Sequence, residues 1–395
     1  MDASRHVASA VFAVAAALCS AGCETTGPGV VTSSKAIAFE PSLAAFRDGF
    51  AVAWYDTRDG KGELYQQALD ADGRLRGTEV RLTTGMPEAF EPDVQAVEGT
   101  PGGDGFVIGW YEKTEAGAYE PRLGFWSRNG AARWIKTVAP RGRNIVIRVH
   151  GELVFAAWVE DEVAPAAGVW TGWWNVRGEV VVAPRRVADA GKTTYNLNAA
   201  LTADSRGHGV PVAFVAFDAT VRTKADEIYV VEDDAEHAQV TRLTPDDGFA
   251  SKYPDLALSG SHAALTWFDV KDGNEEVYLN VSPLATLVRA DAVTGIRVTT
   301  TTGHSIGAYL TWNRDRVGLA WCDDTVGQHE IYMAQFDTAG TRRGDIQRLT
   351  DTTPDSLIPA IQPWRRGFAL AWIEYLGTDD HDARGRSQVL MELVP

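Results

Sequence analysis

The chain has 395 residues, 45% hydrophobic, with 37 Lys and Arg against 53 Asp and Glu, for a net charge of −16. That balance argues against nucleic acid as a partner, because phosphate binding needs clustered basic charge. Three Cys residues and no Cys/His ligand spacing give neither a disulfide framework nor a zinc site.

The first 22 residues read as an export signal. Arg5 and His6 form a short basic end, Val7 to Leu18 is an apolar run too short for a permanent membrane span, and Ser20-Ala21-Gly22-Cys23 follows. Those four residues resemble the bacterial lipobox, although Ser20 stands where Leu is usual. The resemblance implies cleavage before Cys23, diacylation (palmitate-type chains) of that residue and a mature lipoprotein held in the membrane by its acyl chains. Glu24 after the Cys leans toward the outer membrane rather than inner-membrane retention. Cut near Ala21 without acylation, the same leader would give an ordinary secreted protein. Residues 23–29 then form a short tether, and 30–395 the folded domain.

From residue 30 onward the chain repeats. Seven times a hydrophobic strand ends in an aromatic residue with a small residue before it: Trp54, Trp110, Trp158, Phe217, Trp267, Trp321 and Trp372, preceded by Ala53, Gly109, Ala157, Ala216, Thr266, Ala320 and Ala371. The step is roughly fifty residues, the length of a four-stranded blade. Three units align directly: AVAWYDTRDGKGELY from Ala51, ALTWFDVKDGNEEVY from Ala264 and GLAWCDDTVGQHEIY from Gly318. Period-two alternation on both sides of an Asp/Gly turn predicts a hairpin. A third strand follows at Glu79–Thr83, Val240–Thr244, Gly295–Thr299 and Ile346–Thr350, and the next unit opens with a short strand such as Phe90–Val97. The expectation is an all-β, seven-bladed β-propeller of four-stranded antiparallel blades, with the anchor rings in its core. The last unit has three strands before Pro395. Val30-Val31-Thr32 precedes Phe39-Glu40-Pro41 by the step with which Leu82-Thr83 precedes Phe90-Glu91-Pro92, so the strand at about 30–33 is predicted to pair with the last blade and close the ring.

Two positions after most anchors comes a carboxylate: Asp56, Glu112, Glu160, Asp269, Asp323 and Glu374, with Asp218 one position after Phe217. These seven are candidate funnel acids for a cation or a basic partner. Repetition in every blade equally suits a structural role, bonding backbone N–H groups of the hairpins. Asp56–Gly60 with Glu63, and Asp269–Gly273 with Glu276, carry a calcium reading beside the turn reading, without the alternating ligands of an EF-hand. No other cofactor or metal is expected. The hairpin Thr378-Asp379-Asp380-His381-Asp382 reads as a solvated loop with a metal alternative. Residues that break the repeat are Trp170, Trp173 and Trp174, candidate binding aromatics that also suit gap filling between wide outer strands. Cys322, beside Trp321 and across a hairpin from His329, reads as a buried small apolar residue before it reads as a nucleophile.

The run Asp-x-(Arg/Lys)-Asp-Gly-x-x-Glu-(Leu/Val)-Tyr followed by Arg-(Leu/Val)-Thr, at Asp56–Thr83 and Asp269–Thr299, resembles repeats of bacterial exported propellers, including the TolB-like group. The likeness spans the mature chain but is loose: the Ser-Pro-Asp-Gly turn of that group is approached only by Tyr253-Pro254-Asp255. It implies a binding module more than an enzyme, and the expectation is a monomeric cell-envelope binding or scaffold module for an envelope protein or glycan, with no catalysis of its own. The alternative is a carbohydrate-active enzyme, a glycoside hydrolase or lyase, on the same ring. No Gly-x-Ser-x-Gly or phosphate-loop motif occurs, and Ser127-Arg128-Asn129-Gly130 lacks the Asp of a sialidase-type turn.

Overall fold

The structure is a computed structural model that describes residues 28–33, 36–84, 88–160, 168–191, 196–206, 209–289, 293–379 and 382–395. Cys23 and the whole leader lie outside the described residues, as do residues 380 and 381 of the last blade's hairpin.

Blade 1 shows how the repeat folds. An innermost strand, β1 (Ala38–Phe46), pairs antiparallel with β2 (Gly49–Asp56), which pairs with β3 (Glu63–Asp70) and then the outer strand β4 (Leu75–Arg81). Six more four-stranded sheets follow, so the chain is a seven-bladed β-propeller. The anchors are buried to within 1% of full enclosure, each packed against the sheet of the preceding blade. Gly109 shows why the residue before an anchor is small: a Cβ there would stand 2.7 Å from Ile147 Cγ2 of the following blade.

The ring closes at the predicted place. Gly29 and Val30 pair with Met391 and Leu390, and the Val31 N–H donates to Val389 O at 2.8 Å. The N-terminal strand thereby becomes the outer strand of the last blade and covers an edge that would otherwise be open. One short helix, Leu284–Leu287, departs from the all-strand reading. It follows the third strand of blade 5, buries Leu287, and leaves that blade an outer strand of only Ile296–Arg297.

A second regularity appears in the innermost strands. In six blades two residues oppose one across the first ladder, and the single residue opposite is the anchor Trp. The first bulged residue has positive φ: Glu40 52°, Glu91 47°, Asn144 52°, Tyr253 56°, Gly307 59° and Ile358 55°. Such a bulge bends the strand and turns a side chain out of the pleat. Blade 4 pairs without this break from Leu197↔Phe217 through Leu201↔Ala213, and its anchor is the one Phe.

Candidate functional site

The seven innermost strands enclose a central channel of about 1080 Å³. The bulges lie where the innermost strands begin and the second strands end, so the bulged residues ring one mouth. That ring is not sevenfold. Blades 1 and 2 present Glu40 and Glu91, blade 3 presents Arg143 and Asn144, blade 4 Asn196, blade 5 Tyr253, whereas blades 6 and 7 present Ile306, Gly307 and Ile358. A polar arc therefore faces an apolar one.

The two carboxyls are tied together. The Glu91 backbone N–H donates to Glu40 Oε2 at 3.1 Å, and the Tyr111 hydroxyl donates to Glu91 Oε1 at 2.7 Å. Burial, then the charge of Glu91, pushes the Glu40 carboxyl well above the usual range. Burial also raises Glu91, against the opposing pull of Tyr111 and Arg143. Two like charges this close cannot both be carried at low cost, so the pair retains a proton at higher pH than a solvated carboxylate would.

Around this mouth runs a row of rings from blade 7 to blade 2. Tyr375 meets Phe39 (6.3 Å between centroids), Phe39 meets Tyr55 (5.8 Å), Tyr55 meets Phe90 (5.8 Å), Phe90 stacks on Tyr111 (5.6 Å), and Tyr111 meets Tyr119 edge-on (5.4 Å). All but Tyr111 are half-buried. Across the mouth Tyr253 is 42% exposed and stacks on Phe268 at 5.3 Å.

Deeper in the channel the residue after the bulge clasps the next blade. Ser42 Oγ accepts the Val94 N–H at 3.0 Å, Asp93 Oδ2 the Ile147 N–H at 2.8 Å and Asp255 Oδ2 the Leu310 N–H at 2.7 Å. Asp93 also pairs with Arg148 at 3.0 Å, whose other nitrogen reaches Asn198. Burial holds Asp255 at about 6 although the N–H groups of Leu310 and Leu256 pull it down.

The seven carboxylates singled out in the sequence occupy one position per blade, and none lines this channel. Asp56, Asp269 and Asp323 are buried and accept the N–H groups of Arg58 (2.8 Å), Lys271 (3.0 Å) and Thr325 (2.8 Å) in their own hairpins. Glu112 accepts the Trp110 indole N–H at 2.9 Å and pairs with Arg122 at 3.1 Å. Asp218 accepts the Tyr253 N–H at 3.0 Å, joining blade 4 to blade 5. Glu374, half-buried, accepts Gln388 Nε2 at 3.4 Å, and Glu160 is half-buried at the end of the second strand of blade 3. Trp173 and Trp174 are 1% and 4% exposed and pack on Phe155 and Trp158, while Trp170 is half-buried and stacks on Trp158.

Residues of the calcium reading have protein partners. Glu63 receives Arg81 (2.8 Å) and Thr83 Oγ1 (2.5 Å), and Glu276 receives Arg297 (2.9 Å) and Thr299. The same Thr hydroxyls accept the N–H groups of Leu64 and Val277. Glu330, Arg348 and Thr350 repeat the arrangement in blade 6. The sequence signature Glu-(Leu/Val)-Tyr…Arg-x-Thr is thus a clasp that holds the outer strand to the third strand. Among the described residues no group of three or more His, Cys, Asp or Glu is gathered to hold a metal. Cys322 donates to Ile306 O at 3.2 Å, and burial pushes its thiol up to about 12, away from nucleophilic use. His329 instead faces Asp355 at 3.2 Å.

What the sequence reading missed is the Glu40–Glu91 pair. Its signal was present: Phe-Glu-Pro occurs at 39–41 and again at 90–92, in two units only.

No family model matches the chain, and no curated protein matches it. Solved structures do. The polysaccharide lyase Uly1 is similar at 8% identity and TM-score 0.52, with 89% of each chain covered. The phage phi92 endosialidase is similar at 9% and 0.50, covering 93% of this chain and 68% of that one. A prolyl endopeptidase is similar at 11% and 0.51, covering 91% and 50%. The chain spans about half to three fifths of the length of the peptidases it matches. These likenesses are of fold.

Proposed function

We propose that the protein is an exported, Cys23-acylated, outer-membrane lipoprotein, monomeric, that binds an envelope protein or glycan through the channel mouth and performs no reaction of its own. The observation that carries this reading is the broken symmetry of the mouth. Carboxylates repeated in the blades are engaged by their own hairpins, Arg and Thr residues, whereas Glu40, Glu91, Arg143 and Tyr253 gather on one arc of an otherwise repetitive ring. Ligand sites on propellers form where convergent polar groups meet a concave surface, and fold alone does not assign chemistry.

A second reading, a carbohydrate-active enzyme, is favoured by one observation: two carboxyls side by side, with raised proton affinity, in a channel. Glycosidases use such a pair as acid and nucleophile or base, and the similar folds include an endosialidase and a polysaccharide lyase. Capture from envelope extracts with the wild-type chain and a Glu40→Gln/Glu91→Gln variant, with a glycan array run on both, separates the two. A ligand retained intact by the wild type and lost by the variant supports the binding module. A glycan cleaved by the wild type alone overturns it in favour of the enzyme.

A further inference from the structure

Elsewhere in the ring, buried carboxylates carry a matching cation. Glu63 has Arg81 at 2.8 Å, Glu276 has Arg297 at 2.9 Å, and Glu330 has Arg348 at 2.8 Å. Asp56 has Arg58 at 2.6 Å, and Asp269 has Lys271 at 3.2 Å. Others are closed off without one: Asp323, buried, accepts the hydroxyls of Thr301 and Ser305 and the Thr325 N–H. Asp255 fills both oxygens with backbone N–H bonds, and Glu227 is 0% exposed. Glu227 also keeps one oxygen without a hydrogen bond, but that oxygen is buried, whereas Glu40 and Glu91 line the channel. Each has one oxygen bonded, and the other, Glu40 Oε1 and Glu91 Oε2, receives no hydrogen bond or ion pair from the described residues. Both residues line the channel and remain partly open to it.

An anionic pair with two free oxygens beside aromatic faces is complementary to a positive charge. Carboxylates supply charge-assisted bonds, and ring faces attract an ammonium or guanidinium through their quadrupoles. The ring row reaches the pair through Tyr111, whose hydroxyl sits on Glu91. A net charge of −16 draws cations toward the protein.

We propose that Glu40 and Glu91, backed by the Tyr55 and Tyr111 rings, form a binding site for an alkylammonium or guanidinium group at the channel mouth. The inference rests on reading that mouth as a ligand-binding face and adds the class of ligand. Binding is a proton exchange: the cation makes ion pairs with both carboxylates, and the proton held by the pair leaves to solvent. Groups facing the pair are Tyr55 and Tyr111 from the second strands, Arg143 from blade 3 and Tyr309 from blade 6. Arg143 opposes the cation.

The test is calorimetric titration of the full chain with butylammonium, butylguanidinium, a Lys-containing tripeptide, butanol and maltotriose, in two buffers of different ionisation heat. One of the two small cations should bind with release of about one proton, with affinity rising up to about tenfold per pH unit on the acid side of the pair's titration. Affinity should fall at least about tenfold in Glu40→Gln/Glu91→Gln, because the charge-assisted bonds are lost. Arg74→Ala, exposed and outside the channel lining, should retain binding, and the double Gln variant should keep the wild-type circular-dichroism spectrum. Tighter binding of the tripeptide assigns the cation to a peptide side chain, and tighter binding of the small cation assigns it to a free amine; either supports the site. Equal binding of butanol, or equal binding to the double Gln variant, overturns it. Maltotriose bound in place of any cation overturns the cation inference while leaving the binding module intact, and absence of any mouth-dependent ligand from envelope extracts overturns both.

Discussion

Glu227 shows what a single residue loses when a repeated clasp is incomplete. In blades 1, 5 and 6 the equivalent Glu is met by both an Arg and a Thr, but in blade 4 only Thr244 Oγ1 bonds it, at 2.6 Å, and Glu227 Oε1 is buried without a hydrogen-bond partner. Burial raises its carboxyl to about 7. Because the folded value lies above the ordinary one, the native state binds the extra proton. The stability this contributes is present below the ordinary carboxylate range and is lost as pH rises toward and past 7. A shift of this size corresponds to at most about 3 kcal/mol. Glu227→Gln is therefore expected to melt about 2 °C higher than wild type at pH 8 and no higher at pH 4, by thermal unfolding followed by circular dichroism. An equal change at both pH values would assign the effect to packing.

At the scale of the strand, the pairing of bulge and indole gives a sharper test than burial does. Six blades set a two-residue bulge opposite a Trp, and the seventh, without the bulge, sets Leu197 opposite Phe217. An indole at 217 would enter a core at 0% exposure whose facing strand has not bent away. Phe217→Trp is expected to destabilise by about 1–3 kcal/mol through overpacking, read from denaturant midpoints, although Trp is the consensus of the other blades. The clasp is testable at the same scale. Arg81→Ala leaves the buried Glu63 carboxylate with Thr83 and the longer Lys61 pair at 3.4 Å and should cost about 1–3 kcal/mol, whereas the same change at exposed Arg74 should cost little. The elements themselves were legible, since period-two alternation, Asp/Gly turns and the anchor spacing follow from the backbone chemistry of hairpins. The bulges were not. A bulge adds one residue without changing composition, and Pro after it, at 41, 92, 254 and 359, marks it only in some blades. Without the bulges the sequence could not say that Glu40 and Glu91 turn toward the axis, and so the candidate acids were sought two residues after the anchors instead.

For the whole molecule, ring closure fixes where the proposed membrane tether leaves. The N-terminal strand runs from Gly29, opposite Met391 midway along the last blade, toward Thr32, whose hydroxyl bonds the Val389 N–H, and the chain then turns into β1 at the carboxyl-lined mouth. Traced backward from Gly29 it heads away from that mouth. Six residue steps separate Cys23 from Gly29, a reach of at most about 21 Å. An acylated Cys23 would thus hold the far face near the lipid and leave the Glu40–Glu91 mouth open to the aqueous side, where a ligand arrives. Blade 6 offers a probe on each face: Val326, 44% exposed in a hairpin on the mouth side, and Ala339, exposed in the hairpin on the opposite side. Cys322 supplies little background, because its thiol is buried and its ionisation suppressed. In the acylated protein reconstituted into liposomes, a bulky maleimide should label Val326→Cys at the rate seen in detergent and Ala339→Cys several-fold more slowly. Removal of residues 1–33 should abolish that difference and, by exposing the third strand of the last blade, lower the melting temperature and promote edge-to-edge association. The opposite labelling order would turn the mouth toward the membrane, and the ligand would then have to come from the bilayer side.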